Sequence, residues 1–199
     1  MSTIRIDLLA SPFFAAAGLL VVSGAAKIRH PGPAGRALAT LDLPSGRRSV
    51  QAIGVGELVV GAWCLFTPST ASAATLGLLY AAFAAFLALQ LRAKTPGASC
   101  GCLGSQDASP SLVHIALDLA AAVTALVVAT APPRGVVAFS AALSMGGVPF
   151  LLGTALIAYL AYLIAAFLPK AFWSYDRSTA EPEHAPRARG FALRRLEDR

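Results

Sequence analysis

Charged residues are scarce in this chain of 199 residues. Only 13% of its residues are Asp, Glu, Lys or Arg, whereas a soluble domain carries about 25%. A small domain needs a charged surface to stay in water, so a soluble enzyme and a disordered protein are both excluded. The same shortage of charge excludes a secreted disulfide scaffold. By contrast, 56% of the residues are hydrophobic and the mean hydropathy is +0.66, which predicts an integral membrane protein.

Five apolar stretches are long enough to cross a bilayer, whose hydrocarbon core needs roughly 20 helical residues. They cover residues 8–26, 50–66, 71–91, 112–131 and 148–168. The second is the shortest. Small residues at the end of the first could form a signal-peptide cleavage site, but the basic cluster that follows would resist translocation, so we expect a retained helix. Residues 135–147 are apolar but too short to span, and we interpret them as an interfacial or re-entrant connection.

Basic residues alternate between the two sides of these predicted helices. One side carries Lys27, Arg29, Arg36, Arg47 and Arg48, then Arg92 and Lys94, and finally Lys170, Arg177, Arg187, Arg189, Arg194, Arg195 and Arg199. The other side has only Arg134 among its connections. Since basic loops stay in the cytoplasm, we predict a multi-pass protein of the cell membrane, with the N-terminus outside and the C-terminus cytoplasmic.

A Cys-x-Cys motif is the sharpest local feature of the sequence. Cys100 and Cys102 lie in a glycine-rich connection between the third and fourth stretches. A disulfide at this spacing closes a small strained ring, which eases exchange, and glycines supply the necessary backbone freedom. The motif favours a thiol–disulfide exchange pair over ordinary loop thiols or half of a metal site. Zinc would need four ligands and His114 is the only histidine nearby, so no metal site is predicted.

Four polar residues fall in or beside the predicted helices: Lys27, Glu57, His114 and Asp118. A charge inside the bilayer costs several kcal/mol unless it is paired, so these are candidate functional residues. His114 and Asp118 are four apart and share a helix face. We expect Lys27 to pair with Asp118 beside His114, which would place a proton acceptor near the cysteines. The alternative is that such a pair only fixes helix packing, and Glu57 likewise is either functional or structural.

Other side chains have a simpler interpretation. Cys64 lies near the far end of the second helix, and we expect it to be a packing residue, because a free cysteine behaves as a small hydrophobe. The aromatic residues Tyr80, Phe83 and Phe86 of the third helix either line a pocket, with a quinone as the candidate cofactor, or face lipid. The basic tail, residues 171–199, is expected to contact anionic lipid or a protein partner, with no nucleic acid as a ligand.

Three ordered motifs resemble the MauE family within the DoxX-like membrane proteins. They are SGAAKIRHP at residues 23–31, GEL at 56–58 and CGCLG at 100–104. The resemblance implies a four-helix transmembrane bundle in which Cys100 and Cys102 are the redox pair and Glu57 and Lys27 are polar residues of the bundle. The sequence departs from the family at Leu103, where phenylalanine is common, and at His114-Ile115, where Arg-Asn is common.

The predicted fold is therefore an all-α integral membrane protein, a DoxX-like four-helix bundle with a fifth helix at its C-terminal side. Residues 1–131 form the bundle, 132–147 the connection, 148–170 the fifth transmembrane helix and 171–199 the cytoplasmic tail. The resemblance implies thiol–disulfide redox or electron supply in the maturation of a redox enzyme. The expected partner is that enzyme, a thioredoxin-like protein or a membrane complex.

Two other functions remain open. The extra helix and tail would also suit a non-catalytic accessory subunit of a larger, respiratory membrane complex. A small-solute or proton pathway could be built on Glu57 and Asp118, although five helices without a broken-helix repeat make a poor transporter.

Overall fold

The protein is all-α in a computed structural model that describes residues 3–93 and 111–179. Every regular element in these residues is a helix. They are α1 (Thr3–Arg29), α2 (Pro31–Ala39), α3 (Arg47–Phe66), α4 (Thr70–Ala93), α5 (Leu112–Val128), α6 (Val136–Ala141), a 3₁₀ turn (Ser144–Gly147) and α7 (Val148–Thr179). The predicted fold class is thus confirmed, as an all-helical membrane protein.

Four of these helices are long and apolar enough to cross a membrane: α1, α3, α4 and α7. The predicted fourth span is shorter than expected, because α5 has 17 residues and ends at Val128 rather than at residue 131. It is nevertheless apolar, and it packs along α4. The fifth helix is longer than expected, since α7 continues beyond residue 170 to Thr179.

The core forms where α1 is surrounded by α3, α4, α5 and α7. Half of the span in α1 is buried, whereas none of the span in α7 is. The buried cluster combines aromatic side chains with alanines that let the helices approach, among them Phe13, Phe14, Ala17, Leu76 and Ala125. α1 is therefore the central helix, and the outward face of α7 is apolar surface suited to lipid.

The connections after α1 and α5 contain helices that the hydropathy pattern did not predict. α2 begins at Pro31, a residue favoured in the first turn of a helix, and buries Ala34, Gly35 and Ala37. α6 buries only Ser140. Phe139 of α6 packs on Phe14 and Phe150, with ring centroids 6.1 Å and 4.9 Å apart, so this connection is fastened to the bundle.

Candidate functional site

A buried ion pair joins α1 to α3. The ammonium Nζ of Lys27 lies 2.8 Å from Oε2 of Glu57, and the side chains are 9% and 1% exposed. Lys27 also donates a hydrogen bond to the Oγ of Ser23, at 2.6 Å. We call these three residues, Ser23, Lys27 and Glu57, the polar cluster. Pairing removes most of the cost of placing either charge in a membrane-spanning helix.

Glycines bring the two helices close enough for this pair to form. A Cβ added at Gly24 would collide with the Gly54 carbonyl oxygen and lie 2.8 Å from the Leu58 nitrogen. A Cβ at Gly54 would lie 2.8 Å from the Gly24 carbonyl oxygen. These two glycines sit one turn from Lys27 and Glu57, so the backbone contact and the ion pair depend on the same helix crossing.

Lys27 and Glu57 have hydrogen-bonding capacity that the described residues do not use. An ammonium group has three donors, and among the described residues Lys27 uses two of them, on Ser23 and Glu57. The ammonium also lies over the Phe83 ring, with the ring centroid 5.5 Å from Nζ. The second carboxylate oxygen of Glu57, Oε1, is buried without a hydrogen-bond partner among the described residues.

The predicted pairing of Lys27 with Asp118 is wrong, because the carboxylate that Lys27 contacts is that of Glu57. The spacing of four residues correctly places His114 and Asp118 on one face of α5, but it cannot select the partner on another helix. Asp118 and the buried His114 instead line the same cavity as Lys27. The Nδ1 of His114 lies 2.8 Å from the Oγ of Ser111, just before α5 begins.

This cavity, of about 230 Å³, lies between α1, α4, α5 and α7. One end is polar and is lined by Ser23, Lys27, His114 and Asp118. The rest of its wall is mainly apolar, with Tyr80, Thr124 and Tyr162 among its side chains, and extends along α1 as far as Pro12. From Pro12 to Lys27 the helix rises about 22 Å, so the cavity is elongated along the bundle with its charged groups at one end.

Two aromatic residues that were expected either to line a pocket or to face lipid, Tyr80 and Phe83, line this cavity. The hydroxyl of Tyr80 donates a hydrogen bond to the Ala16 carbonyl, at 2.8 Å, which ties α4 to α1. Phe86 is partly buried outside the cavity wall. Of the two alternatives left open by the sequence, Tyr80 and Phe83 therefore follow the first, while Phe86 does not line the cavity.

Sequence reasoning missed Ser23 and Gln90 as polar residues of the interior. Gln90 is 2% exposed, and its Nε2 donates to the Ala37 carbonyl at 3.0 Å and to the Thr40 Oγ1 at 3.2 Å. These bonds fasten the end of α4 to α2. The signal was available, since Gln90 is the one side-chain amide in the apolar stretch 71–91.

Cys64 lies at the other end of the bundle and is fully buried. Its thiol donates a hydrogen bond to the Ser72 carbonyl, at 3.3 Å, which is the environment expected for a packing residue. Cys100 and Cys102 lie outside the described residues. They belong to the chain between Ala93 and Leu112, and both of those helix ends are at the end of the bundle that holds the polar cluster.

A family model matches most of the residues that form this bundle. The model of the family described as methylamine utilisation protein MauE matches residues 5–132, which cover α1 to α5 and exclude α6 and α7. No curated protein and no solved structure matches the chain. The family match extends over more than half of the sequence and over every residue of the polar cluster. The chain therefore belongs to the MauE family, and it is a multi-pass membrane protein linked to methylamine utilisation.

Proposed function

We propose that this protein is a membrane thiol–disulfide oxidoreductase that supports the maturation of a partner redox enzyme, with Cys100 and Cys102 as the exchange pair. The observation that carries the proposal is the position of the helix ends between which the pair lies. Cys100 lies seven residues after Ala93 in the sequence. A fully extended chain of seven residues is at most about 25 Å long, so Cys100 lies within that distance of the end of α4. The length of this connection thus allows the pair to reach the end of the bundle where Lys27, His114 and Asp118 line one cavity, which supports the proposal.

The reaction would proceed by ordinary disulfide exchange. A thiolate of the pair attacks a disulfide of the partner and forms a mixed disulfide, which the second thiol resolves. The pair ends as a disulfide, and the partner receives two electrons and two protons. The reverse reaction oxidises a dithiol of the partner, and the relative reduction potentials decide the direction. Ionisable groups near a thiol set its thiolate fraction, which is the role the proposal gives to the polar end of the cavity.

Single-turnover exchange tests the proposal. The purified protein is reduced, freed of reductant and mixed with dieosin glutathione disulfide, whose fluorescence rises when its disulfide is reduced. We expect each chain to reduce about one equivalent, because one dithiol carries two electrons. Cys102→Ser should stop at the mixed disulfide, so that each chain releases at most one eosin-glutathione instead of two and keeps the other covalently bound, whereas Cys64→Ser should still release both. Full turnover by Cys102→Ser, in a variant with unchanged thermal stability, would contradict the proposal.

The proposed location is the cell membrane, with the N-terminus outside and both the cysteine pair and the basic tail in the cytoplasm. The distribution of Lys and Arg supports this orientation. Labelling intact cells with a membrane-impermeant maleimide, in a Cys64→Ser background, tests it. We expect labelling only after lysis. Labelling from outside would reverse the orientation and place the pair in the extracytoplasmic compartment.

A non-catalytic accessory subunit is the second candidate function. The observation that favours it is α7, which lies outside the family match and has no buried residue in its span. Such a helix offers an apolar face to another membrane protein. This function predicts that a large partner co-purifies in mild detergent even when Cys100 and Cys102 are both replaced by serine. A monomer under those conditions would exclude it.

A further inference from the structure

We infer that the cavity between α1, α4, α5 and α7 is a binding site for a lipid-soluble quinone, whose ring lies at the polar end and whose isoprenoid tail follows the apolar wall. The binding site follows from the helices alone, whereas the redox role of the bound quinone rests on the proposed function. If Cys100 and Cys102 exchange disulfides, the bound quinone is the acceptor that reoxidises them.

The shape of the cavity fits such a ligand. Its charged groups are gathered at one end, and beyond Ser23 a mainly apolar wall continues for about 17 Å along α1 to Pro12. Lining side chains in this part include Leu20, Leu87 and Ile157. A molecule that fills the cavity therefore needs a compact polar head and a long apolar tail. α7, which closes one side, has no buried residue in its span, so the cavity lies next to the lipid.

Lys27 supplies a hydrogen-bond donor for the head. Its side chain is 9% exposed, and among the described residues its ammonium uses two of three donors. The third is available for an acceptor in the cavity that Lys27 lines. The neighbouring rings of Phe83 and Tyr80, which also line the cavity, offer aromatic surface for a planar head.

The charge of the site selects a neutral head. The positive charge of Lys27 is compensated by Glu57 at 2.8 Å. A phosphate or a fatty-acid carboxylate would therefore meet an ion pair with no net charge, and it would bury a further negative charge at considerable cost. A quinone carbonyl accepts a hydrogen bond without adding charge.

The electron balance is complete with this acceptor. Two thiols of the reduced pair lose two electrons and two protons and form a disulfide. The quinone gains two electrons and two protons and becomes a quinol. In this direction the protein would oxidise a dithiol of its partner and pass the electrons to the quinone pool of the membrane.

Binding of decylubiquinone to the full-length protein in detergent tests the site. Ala121→Leu adds a larger side chain on the cavity wall of α5, while Ala116→Leu makes the same change at an exposed position of that helix outside the cavity. We expect Ala121→Leu to raise the Kd at least about tenfold and Ala116→Leu to leave it unchanged. Equal affinities in the two variants would overturn the assignment.

A second comparison tests the role of the polar end. Decylbenzene has the ten-carbon chain and an aromatic ring but no hydrogen-bonding oxygen, so we expect the wild-type protein to prefer decylubiquinone by about tenfold or more, as one hydrogen bond to a charged donor would give. Replacing the ion pair together, by Lys27→Met with Glu57→Leu, should remove this preference. Equal binding of both probes by the wild-type protein would show that the cavity accepts any apolar chain and would contradict a quinone site.

Quinone binding and thiol–disulfide exchange can be tested independently of each other. Quinone binding does not require the cysteines, so Cys100→Ser with Cys102→Ser should bind decylubiquinone as the wild-type protein does. Loss of binding in this double variant would contradict a site built from the helices. If exchange with dieosin glutathione disulfide fails while quinone still binds, the redox role is wrong and the site stands. If exchange succeeds and no quinone binds, the site is wrong and the proposed function stands.

Discussion

The two ends of the bundle use buried polar groups in different ways. At one end, Lys27 and Glu57 form a charged pair between α1 and α3, and both have hydrogen-bonding capacity that the part of the chain described by the structure does not use. At the other end, Ser69 and Ser72 cap the start of α4 with reciprocal hydrogen bonds: the Ser69 nitrogen donates to the Ser72 Oγ at 2.8 Å, and the Ser72 nitrogen to the Ser69 Oγ at 3.2 Å.

This difference separates structural groups from candidate functional ones. The contacts of Ser69 and Ser72 are neutral and local, and they satisfy the amide donors that every helix start exposes. The polar cluster instead connects two helices, adjoins a cavity and includes a buried carboxylate oxygen that has no hydrogen-bond partner in residues 3–93 and 111–179. Buried charge of this kind is costly, and among the described residues it occurs at this end, which points to that end as the working end of the molecule.

The largest expected loss of stability comes from removing only one partner of the ion pair between Lys27 and Glu57. Lys27→Met leaves Glu57 buried without its partner and should lower the free energy of unfolding by about 3–5 kcal/mol. Lys27→Met combined with Glu57→Leu should recover most of that loss, because no buried charge remains. Thermal unfolding in detergent measures both, followed through maleimide labelling of the buried Cys64 with Cys100 and Cys102 replaced by serine. A double variant as unstable as the single one would contradict this account of the pair.

A smaller loss of stability is expected when α1 and α3 are forced apart at the same end of the bundle. Gly24→Ala introduces a Cβ into the backbone of α3, and we expect a loss of about 1–3 kcal/mol in the free energy of unfolding. Gly56→Ala is the matched control, because a Cβ there meets no atom within 4 Å and alanine favours helix. The same unfolding assay compares them. Equal stabilities would mean that close approach of α1 and α3 is not required.

The smallest loss of stability is expected at the other end of the bundle, where Ser69 and Ser72 form neutral hydrogen bonds. Ser69→Ala removes the side-chain cap of α4 and should cost about 1 kcal/mol, without changing decylubiquinone binding. Unfolding and binding measured on the same preparation check both parts. A loss as large as that of Lys27→Met, or a weakened binding of the quinone, would remove the distinction between the two ends.

The sequence predicts the helices better than their pairing. Hydropathic length alone places the spans, because the bilayer requires about 20 apolar residues in each. It does not reveal α2, a short helix that depends on packing of Ala34 and Ala37 and on the bonds from Gln90. Periodicity identifies which residues share a face of one helix, as His114 and Asp118 do, but the choice of Glu57 by Lys27 depends on a helix crossing. Gly24 and Gly54 carry the signal for that crossing, since both lie one turn from the pair.

The redox titration of Cys100 and Cys102 tests the central claim most directly. The full-length Cys64→Ser protein is equilibrated in glutathione buffers of graded potential, the thiols are trapped with a maleimide, and adducts per chain are counted by mass spectrometry. We predict chains with two adducts or none, interconverting at a single potential with about 30 mV per tenfold change, as a two-electron couple requires. Chains that carry two adducts at every potential, or that lose them one at a time, would show that the cysteines do not form an exchange pair.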